Sequence, residues 1–539
     1  MKKKNNKSKW LSLVILSSAL AIVIIDGTVL NVSLKNVIED LKTDYQSLQW
    51  VITSYSLVIA ALTITGGRLG DIIGRKKMFM LGATLFGIGS LISALSVNVT
   101  MLMIGWSFIE GIGAALMLPA TISLVTATFK GRERAIAFGV WGGIAGASSA
   151  VGPILGGYLT SNFSWHWAFM INVVLVIFLN IGAILFIKDS RDTKEKFQFD
   201  FIGFFTSAIG MMLVVYGIIE STTYGWVKAK KPWEIFSNSY QLNGISISII
   251  SLVLGFIILG IFLYTQNLAR KKNNTPLINL EIFKNRSFSI GILTTAVIAL
   301  GQAGLIFSLP IFLQSVRNLD AFHTGLAFLP MSIPILIVSP LSASLSKKIS
   351  PKYLIQAGII ISIISSLVLR NTLNVDTSVM DLVPGLFLFG IGFGLISSQI
   401  TNITMSSIDV NFAGEASGLN STMRQLGSTL GTAIIGAIFI STMLLSFKDN
   451  IETSQLLPAP LKTQISSAIS TNSSQFELGG TSSMGGSNVP QIVTNEISLA
   501  QQKASATASK NSMIYTTIFY AACLVVSFAL PHKIEHQEE

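Results

Sequence analysis

Two carboxylic acids lie deep inside long apolar runs of this chain: Asp26 in ILSSALAIVIIDGTVLNVSL and Glu110 in MLMIGWSFIEGIGAALMLP. An ionisable side chain in the middle of a bilayer costs at least ~2.5–3.5 kcal/mol on insertion scales. Such groups are therefore functional candidates facing a cavity or a polar partner. The two runs cross in opposite directions. Asp26 lies about seven residues from the outer end of its run and Glu110 about nine from the outer end of its own. At 1.5 Å per residue, both sit roughly 10–14 Å below one surface. Two carboxyl groups at one level form a proton-titrating pair. A cation would favour their ionised form and protons the neutral form, so the two ligands would compete. Simpler readings remain open: Asp26 bonded to Thr28 or Asn31, and Glu110 bonded to a neighbouring helix.

The elements that must position these acids follow from composition. The 539 residues are 50% hydrophobic and 12% charged, about half the charge of a soluble chain. Apolar runs of ~20 residues recur, the length needed to cross a ~30 Å hydrocarbon core. The class is an all-α polytopic membrane protein. Disordered, collagenous and disulfide-scaffold classes are excluded, and the single cysteine, Cys523, permits no internal disulfide. The pattern predicts fourteen spans, near 11–33, 48–68, 78–97, 101–125, 135–158, 166–187, 200–220, 244–265, 288–310, 322–345, 352–370, 382–406, 416–445 and 512–531. The first has a basic lead, but its apolar run is too long for a cleaved signal core, so it reads as a retained signal-anchor. The net charge of +11 is carried by Lys and Arg in short loops between the runs. That is the signature of cytoplasmic loops rather than of nucleic-acid binding, and it places both termini in the cytoplasm. Residues 446–511, rich in Ser, Thr, Gln and Gly, read as a long polar extracytoplasmic loop within which 492–508 could form a short helix. Asn472 there matches a glycosylation triplet. No Walker-A string and no Cys/His metal cluster is present, so neither a resident cofactor nor a metal is expected and the chain is not read as an enzyme.

Three strings carry more specific information. GRLGDIIGRKK, Gly67 to Lys77, is a short basic turn with an acid: Gly67, Asp71, Gly74 and Arg75 keep the spacing G-x-x-x-D-x-x-G-R. GASSAVGPILGGYL contains Gly152-Pro153 and then Gly156-Gly157, and a proline inside a helix removes a backbone donor and clashes one turn back. NFAGEASGLNSTMRQLGSTLGTAIIG, 411–436, contains Arg424 inside a span. On these strings, with IIDGTVLNVSL and SWHWAFMIN, the chain resembles the major facilitator superfamily, and within it the fourteen-span drug:proton antiporter family of multidrug exporters.

The resemblance implies a major facilitator fold of two six-helix bundles plus two inserted helices. Its units would be 1–197 (first bundle), 198–286 (inserted pair), 287–445 (five helices of the second bundle), 446–511 (polar loop) and 512–539 (last span and tail). It implies a conformational latch at Gly67, Asp71, Gly74 and Arg75, and an antiporter-motif kink at Gly152, Pro153, Gly156 and Gly157. Asp26 and Glu110 would couple protons to substrate in a central cavity lined by spans 1 and 4, with Asn31, Trp141 and Arg424 as further cavity candidates. The family places an Arg and a Gln where this chain has Ser107 and Glu110, so its usual proton relay is altered here. The implied function is proton-coupled efflux of small amphipathic or cationic compounds by a monomer in the cell membrane, with protons and the lipid bilayer as its other partners. A lipid or glycolipid exporter, and a non-transporting membrane sensor or assembly factor, are the alternatives.

Overall fold

The computed structural model describes residues 2–43, 45–190, 200–235, 238–271, 276–463, 465 and 491–532. The first group of helices comprises α1 (Lys2–Asp40), α2 (Tyr45–Ile73), α3 (Arg75–Ala94) and α4 (Val99–Leu102). α4 continues through a π-helical stretch, Met103–Glu110, into α5 (Gly111–Thr128), followed by α6 (Gly131–Asn162) and α7 (His166–Phe186). α8 (Phe201–Tyr224) and α9 (Ile247–Lys271) pack on each other. They are joined by a segment that contains the antiparallel hairpin β1 (Trp233–Ile235) and β2 (Asn238–Tyr240). The second group comprises α10 (Arg286–Ser315), α11 (Ala321–Ala327), α12 (Leu329–Leu345), α13 (Pro351–Thr372), α14 (Val379–Ser406), α15 (Ala413–Thr453) and α16 (Gln491–Ser527).

In lipid, a backbone must satisfy its own hydrogen bonds, so each long apolar run becomes a helix. Polar side chains start several of them. Asn98, Asp200 and Asn285 each accept from a backbone N–H of the first turn, and Ser378 and Asp381 cap each other's backbone at the head of α14. Among the described residues, twelve helices are long and apolar enough to cross a membrane. The two remaining expected spans differ from the reading above. The run 322–345 is split at Phe328 into α11 and a 17-residue α12. Pro330 takes the first turn of α12, where its missing N–H is no loss. The run 512–531 is the second half of the 37-residue α16.

α16 also alters the picture of 446–511. α15 runs on to Thr453 and α16 starts at Gln491. Ala500, Ala504 and Ala508, one turn apart, pack against Met443, Phe447 and Ile451 in a small apolar cluster. A Ser- and Ala-rich stretch that reads as loop by composition thus forms helix because its small residues let two helices approach. Residues 466–490, including Asn472, lie outside the described residues.

Each helical group has its own apolar core. One is centred on Phe79, Phe86, Trp106 and Phe169, the other on Leu309, Phe312, Phe389 and Tyr520. The groups meet along two seams, α2 with α15 and α6 with α11, α12 and α14, while α8 lies against both α2 and α15. The ends of the molecule are distinguished below as the basic end, which carries Arg75, Lys76 and Lys77, and the far end.

Candidate functional site

α3 and the α4–α5 helix approach so closely that a Cβ on Gly89 would stand 2.5 Å from the backbone nitrogen of Glu110. Only glycine allows this approach, and it sets Ser90 against Glu110. The Ser90 hydroxyl donates to Glu110 Oε1 at 2.7 Å. The π-helical stretch ends at Glu110, and such widened turns are frequent where a helix must aim a functional side chain. One turn earlier, the indole N–H of Trp106 donates to Asp26 Oδ2 at 2.6 Å. The Asn172 amide on α7 donates to Asp26 Oδ1 at 2.8 Å and to Ser90 Oγ at 3.3 Å. Ser90 and Asn172 thus tie Asp26 and Glu110 into one hydrogen-bonded cluster. Among the described residues Glu110 Oε2 meets no donor, and the hydroxyl of Tyr55, whose ring stacks on Trp106 at 4.6 Å, is likewise unpartnered.

The structure therefore brings Asp26 and Glu110 together, as their depth suggests, but it does not open them onto the space between the two groups. Asp26 is 3% exposed and Glu110 0%. Their neighbours come from α1, α2, α3, the π-helical stretch and α7, all in the first group. Ser107, at the position of the family's Arg, donates to the carbonyl of Val51 at 2.6 Å and ties the π-helical stretch to α2. Trp106 and Asn172 completed this cluster without having been singled out in the sequence. The signal for Trp106 was its place one turn before a buried acid, on an apolar run.

At the basic end the string Gly67–Lys77 lies on the seam between the groups. α2 ends at Ile73, and Gly74, at φ 121°, turns the chain into α3. Arg75 donates twice to Asp71 Oδ1, at 2.9 and 2.7 Å, and once to the carbonyl of Val410. Asp71 accepts the backbone N–H groups of Gly414 and Glu415, at 2.9 and 3.0 Å. A carboxylate thus sits on the first turn of α15, where unpaired N–H groups and the helix dipole favour negative charge. Arg68 adds an ion pair across the seam to Glu415 at 2.6 Å, and Glu415 also accepts from the backbone of Asn279 at 2.9 Å. A Cβ on Gly67 would fall 2.2 Å from the carbonyl oxygen of Gly414, so glycine is what lets the two backbones meet. Sequence reasoning missed Arg68 and Glu415, because nothing local relates residues 347 positions apart.

The second string lies on the opposite seam. α6 runs unbroken through Pro153, so that residue does not end the helix. Gly152 and Gly156 face Thr28 and Val29 of α1, and Gly157 faces the backbone of Phe322 on α11. Further along α6, Trp141 lies beside Arg424 of α15, whose guanidinium carbon is 5.6 Å from the ring centroid. Both line a cavity shared by α6, α10, α14 and α15, together with Gln302, Phe393, Ser397 and Asn420. Among the described residues Arg424 pairs with no acid, and its side chain is partly exposed. The side chain of Asn31 lies outside those described. Among the described residues no group of three or more His, Cys, Asp or Glu side chains is placed to hold a metal ion.

The chain is similar over most of its length to proteins named for drug resistance. It is 27% identical over 464 residues to the multidrug resistance protein Stp of Mycobacterium tuberculosis, covering 85% of this chain and 81% of that one. It is 26% identical over 433 residues to the tetracenomycin C resistance and export protein of Streptomyces glaucescens, covering 80% and 76%. Its fold matches that of the human organic anion transporter MFSD10 with a TM-score of 0.56 at 10% identity, over 95% of this chain and 99% of that one. The profile of the Major Facilitator Superfamily matches residues 16–432. A polytopic helical chain in two groups, in contact at one end through a G-x-x-x-D-x-x-G-R turn, is thus a member of the major facilitator superfamily, a multi-pass membrane transporter.

Proposed function

We propose that this transporter exports small amphipathic compounds in exchange for protons, by alternating access of its two helical groups, as a monomer in the cell membrane with the basic end and both termini in the cytoplasm. The observation that carries the reading is the Asp26–Glu110 cluster: two buried carboxyl groups within the span of the bilayer, tied together through Ser90 and Asn172, in which a shared proton would give Glu110 Oε2 the partner it lacks. Removing that proton leaves two buried acceptors facing each other, so the packing around them must change with protonation.

The route by which such a change would reach the substrate is short. Asp26 lies on α1, whose Thr28 and Val29 pack on Gly152 and Gly156 of α6. α6 in turn carries Trp141 into the cavity and lies along the seam with the second group. The Asp71–Arg75 and Arg68–Glu415 contacts hold the basic end closed, and an opening at that end requires them to part. The G-P-x-x-G-G string against α11 and the export and resistance relatives favour the outward direction of transport. Because both acids are enclosed by the first group, they do not meet a substrate directly. Their role is to set the conformation, and the cationic charge expected of the substrate loses its support.

The test is transport into inverted membrane vesicles under an imposed proton gradient, with a panel of cationic, neutral and anionic fluorescent amphiphiles. Gradient-dependent accumulation of at least one probe is expected, and Asp26→Asn and Glu110→Gln should each reduce it by about tenfold or more. If no probe responds to the gradient, proton-coupled export is wrong. If both variants pump like the wild type, the proton site lies elsewhere.

A further inference from the structure

Arg424 is eleven residues into α15 and Trp141 ten residues into α6, both counted from the basic end, so they lie roughly 15–17 Å along their helices. That is the middle of a ~30 Å hydrocarbon core. A guanidinium at that depth is costly and normally pairs with an acid. Among the described residues Arg424 has no such partner. The spanning acids near it in sequence or on the seams are engaged elsewhere: Asp26 and Glu110 with Trp106, Asn172 and Ser90, Asp71 with Arg75, and Glu415 with Arg68. No Asp or Glu lines the cavity, and the partner Arg424 has among the described residues is the Trp141 ring.

That partner leaves the important part of the guanidinium unused. A ring contact engages the π-face or the delocalised charge, whereas the five N–H donors point outward in the guanidinium plane, in a fork that matches a carboxylate or sulfonate. Two amides line the same cavity. Asn420 accepts from Thr295 with its Oδ1 at 3.4 Å, and among the described residues neither its NH2 group nor the Gln302 side chain has a hydrogen-bond partner. The cavity thus holds one unpaired cation and two amide donors, with no negative charge.

We propose that this cavity binds the anionic headgroup of an amphipathic substrate, a carboxylate or sulfonate, with Arg424 as its counter-charge and Gln302 and Asn420 as supporting donors. The proposal rests on the export reading above and names its substrate class. The cavity volume of 70 Å³ suits a headgroup, being well below the ~300 Å³ or more of a site that encloses a drug-sized molecule. The apolar body of the substrate is accommodated as the two groups part, against Trp141 and Phe393. An anion so bound neutralises Arg424 during the crossing, and in the empty carrier the Trp141 ring takes the cation.

The experiment compares three coumarin fluorophores of matched size carrying a carboxylate, a methylamide or a trimethylammonium group. Equilibrium binding is measured by fluorescence anisotropy with the full chain in zwitterionic lipid nanodiscs. The wild type should bind the carboxylate at least tenfold more tightly than the methylamide. Arg424→Gln should bring that ratio to about one, and Arg424→Lys, which keeps the charge and loses the fork, should retain part of it. Equal or tighter binding of the trimethylammonium probe by the wild type overturns the proposal, whether or not any variant folds. So does a ratio that survives Arg424→Gln. Because the readout is binding, it separates from the export reading. Anion binding without gradient-driven movement of any probe would defeat export alone, and gradient-driven export with no preference for the anion would defeat this inference alone.

Discussion

Trp106 shows how much a single side chain contributes to the buried carboxyl cluster. Its indole N–H is one of the donors to Asp26, and its ring stacks on Tyr55 at 4.6 Å with planes 6° apart. Trp106→Phe keeps a ring for the stack and removes the donor. Leaving a buried acceptor unsatisfied costs about 1–3 kcal/mol. The thermal midpoint of the detergent-solubilised protein should therefore fall by several degrees. A midpoint within a degree of the wild type would mean that the bond carries no stability. At this scale the sequence was legible where chemistry is rare for its surroundings. Asp26, Glu110 and Arg424 stand out because charge in an apolar run is expensive. Trp106, Asn172 and Ser90 do not stand out, since each is an ordinary residue in a membrane helix until the fold places it beside an acid. The same limit applies to where the acids face. Depth along a helix can be counted from sequence, but rotation about its axis depends on which neighbours press on it, and Gly89 and Asn172 turn Glu110 and Asp26 inward.

At the scale of elements, α11 is the piece whose existence was hidden. The apolar run 322–345 reads as one span, yet two helices meet in it at Phe328, and the short one seals the far end of the α6 seam through Phe322 against Gly157 and Gly325 against Ile154. Its start is fixed by Asp320, which accepts the backbone N–H of His323 at 2.7 Å. That backbone bond is the main cause holding the Asp320 carboxyl below the usual Asp range, helped by the imidazole of His323. Asp320→Ala should destabilise the protein by about 0.5–2 kcal/mol, whereas Asp320→Asn, an equally good cap, should cost only a few tenths. The sign of the pH dependence follows from the lowered folded-state value. The contribution is complete above the ordinary Asp pKa and is lost as the pH falls through the lower folded value. The difference between Asp320→Ala and wild type in thermal unfolding should thus be present above the ordinary Asp value of 3.8 and shrink as the pH falls below it. A gap that stayed constant in acid would assign the effect to a different group. The π-helical stretch of the α4–α5 helix was equally invisible, because one inserted residue in a helix leaves no trace in composition and little in periodicity over eight residues.

For the whole molecule, the question is what holds one end closed. The fold class was legible because composition, apolar run length and basic loops all agree on a bundle of spanning helices. The contacts between its two groups were not, because they join residues hundreds of positions apart. The turn motif announced Asp71 and Arg75, and the structure adds Arg68, whose ion pair with Glu415 is buried, with side chains 5% and 1% exposed. Breaking a buried pair by removing one member costs about 3–5 kcal/mol, against about 1.4 kcal/mol for each tenfold change in a population. Arg68→Gln removes the guanidinium from Glu415 only when the basic end is closed, so the loss falls on that state and the equilibrium moves toward opening. Ser417 can report the movement. It is fully buried on the seam, and its hydroxyl donates to the carbonyl of Pro119 in the other group at 2.9 Å. The single native cysteine, Cys523, is buried within the second group and should contribute little background. In a Ser417→Cys background, a water-soluble maleimide applied from the basic end should label slowly, and adding Arg68→Gln should raise the rate at least tenfold. Equal rates in the two backgrounds would show that the closed end is held by the Asp71–Arg75 contacts and backbone packing alone, with Arg68 a bystander to the switch.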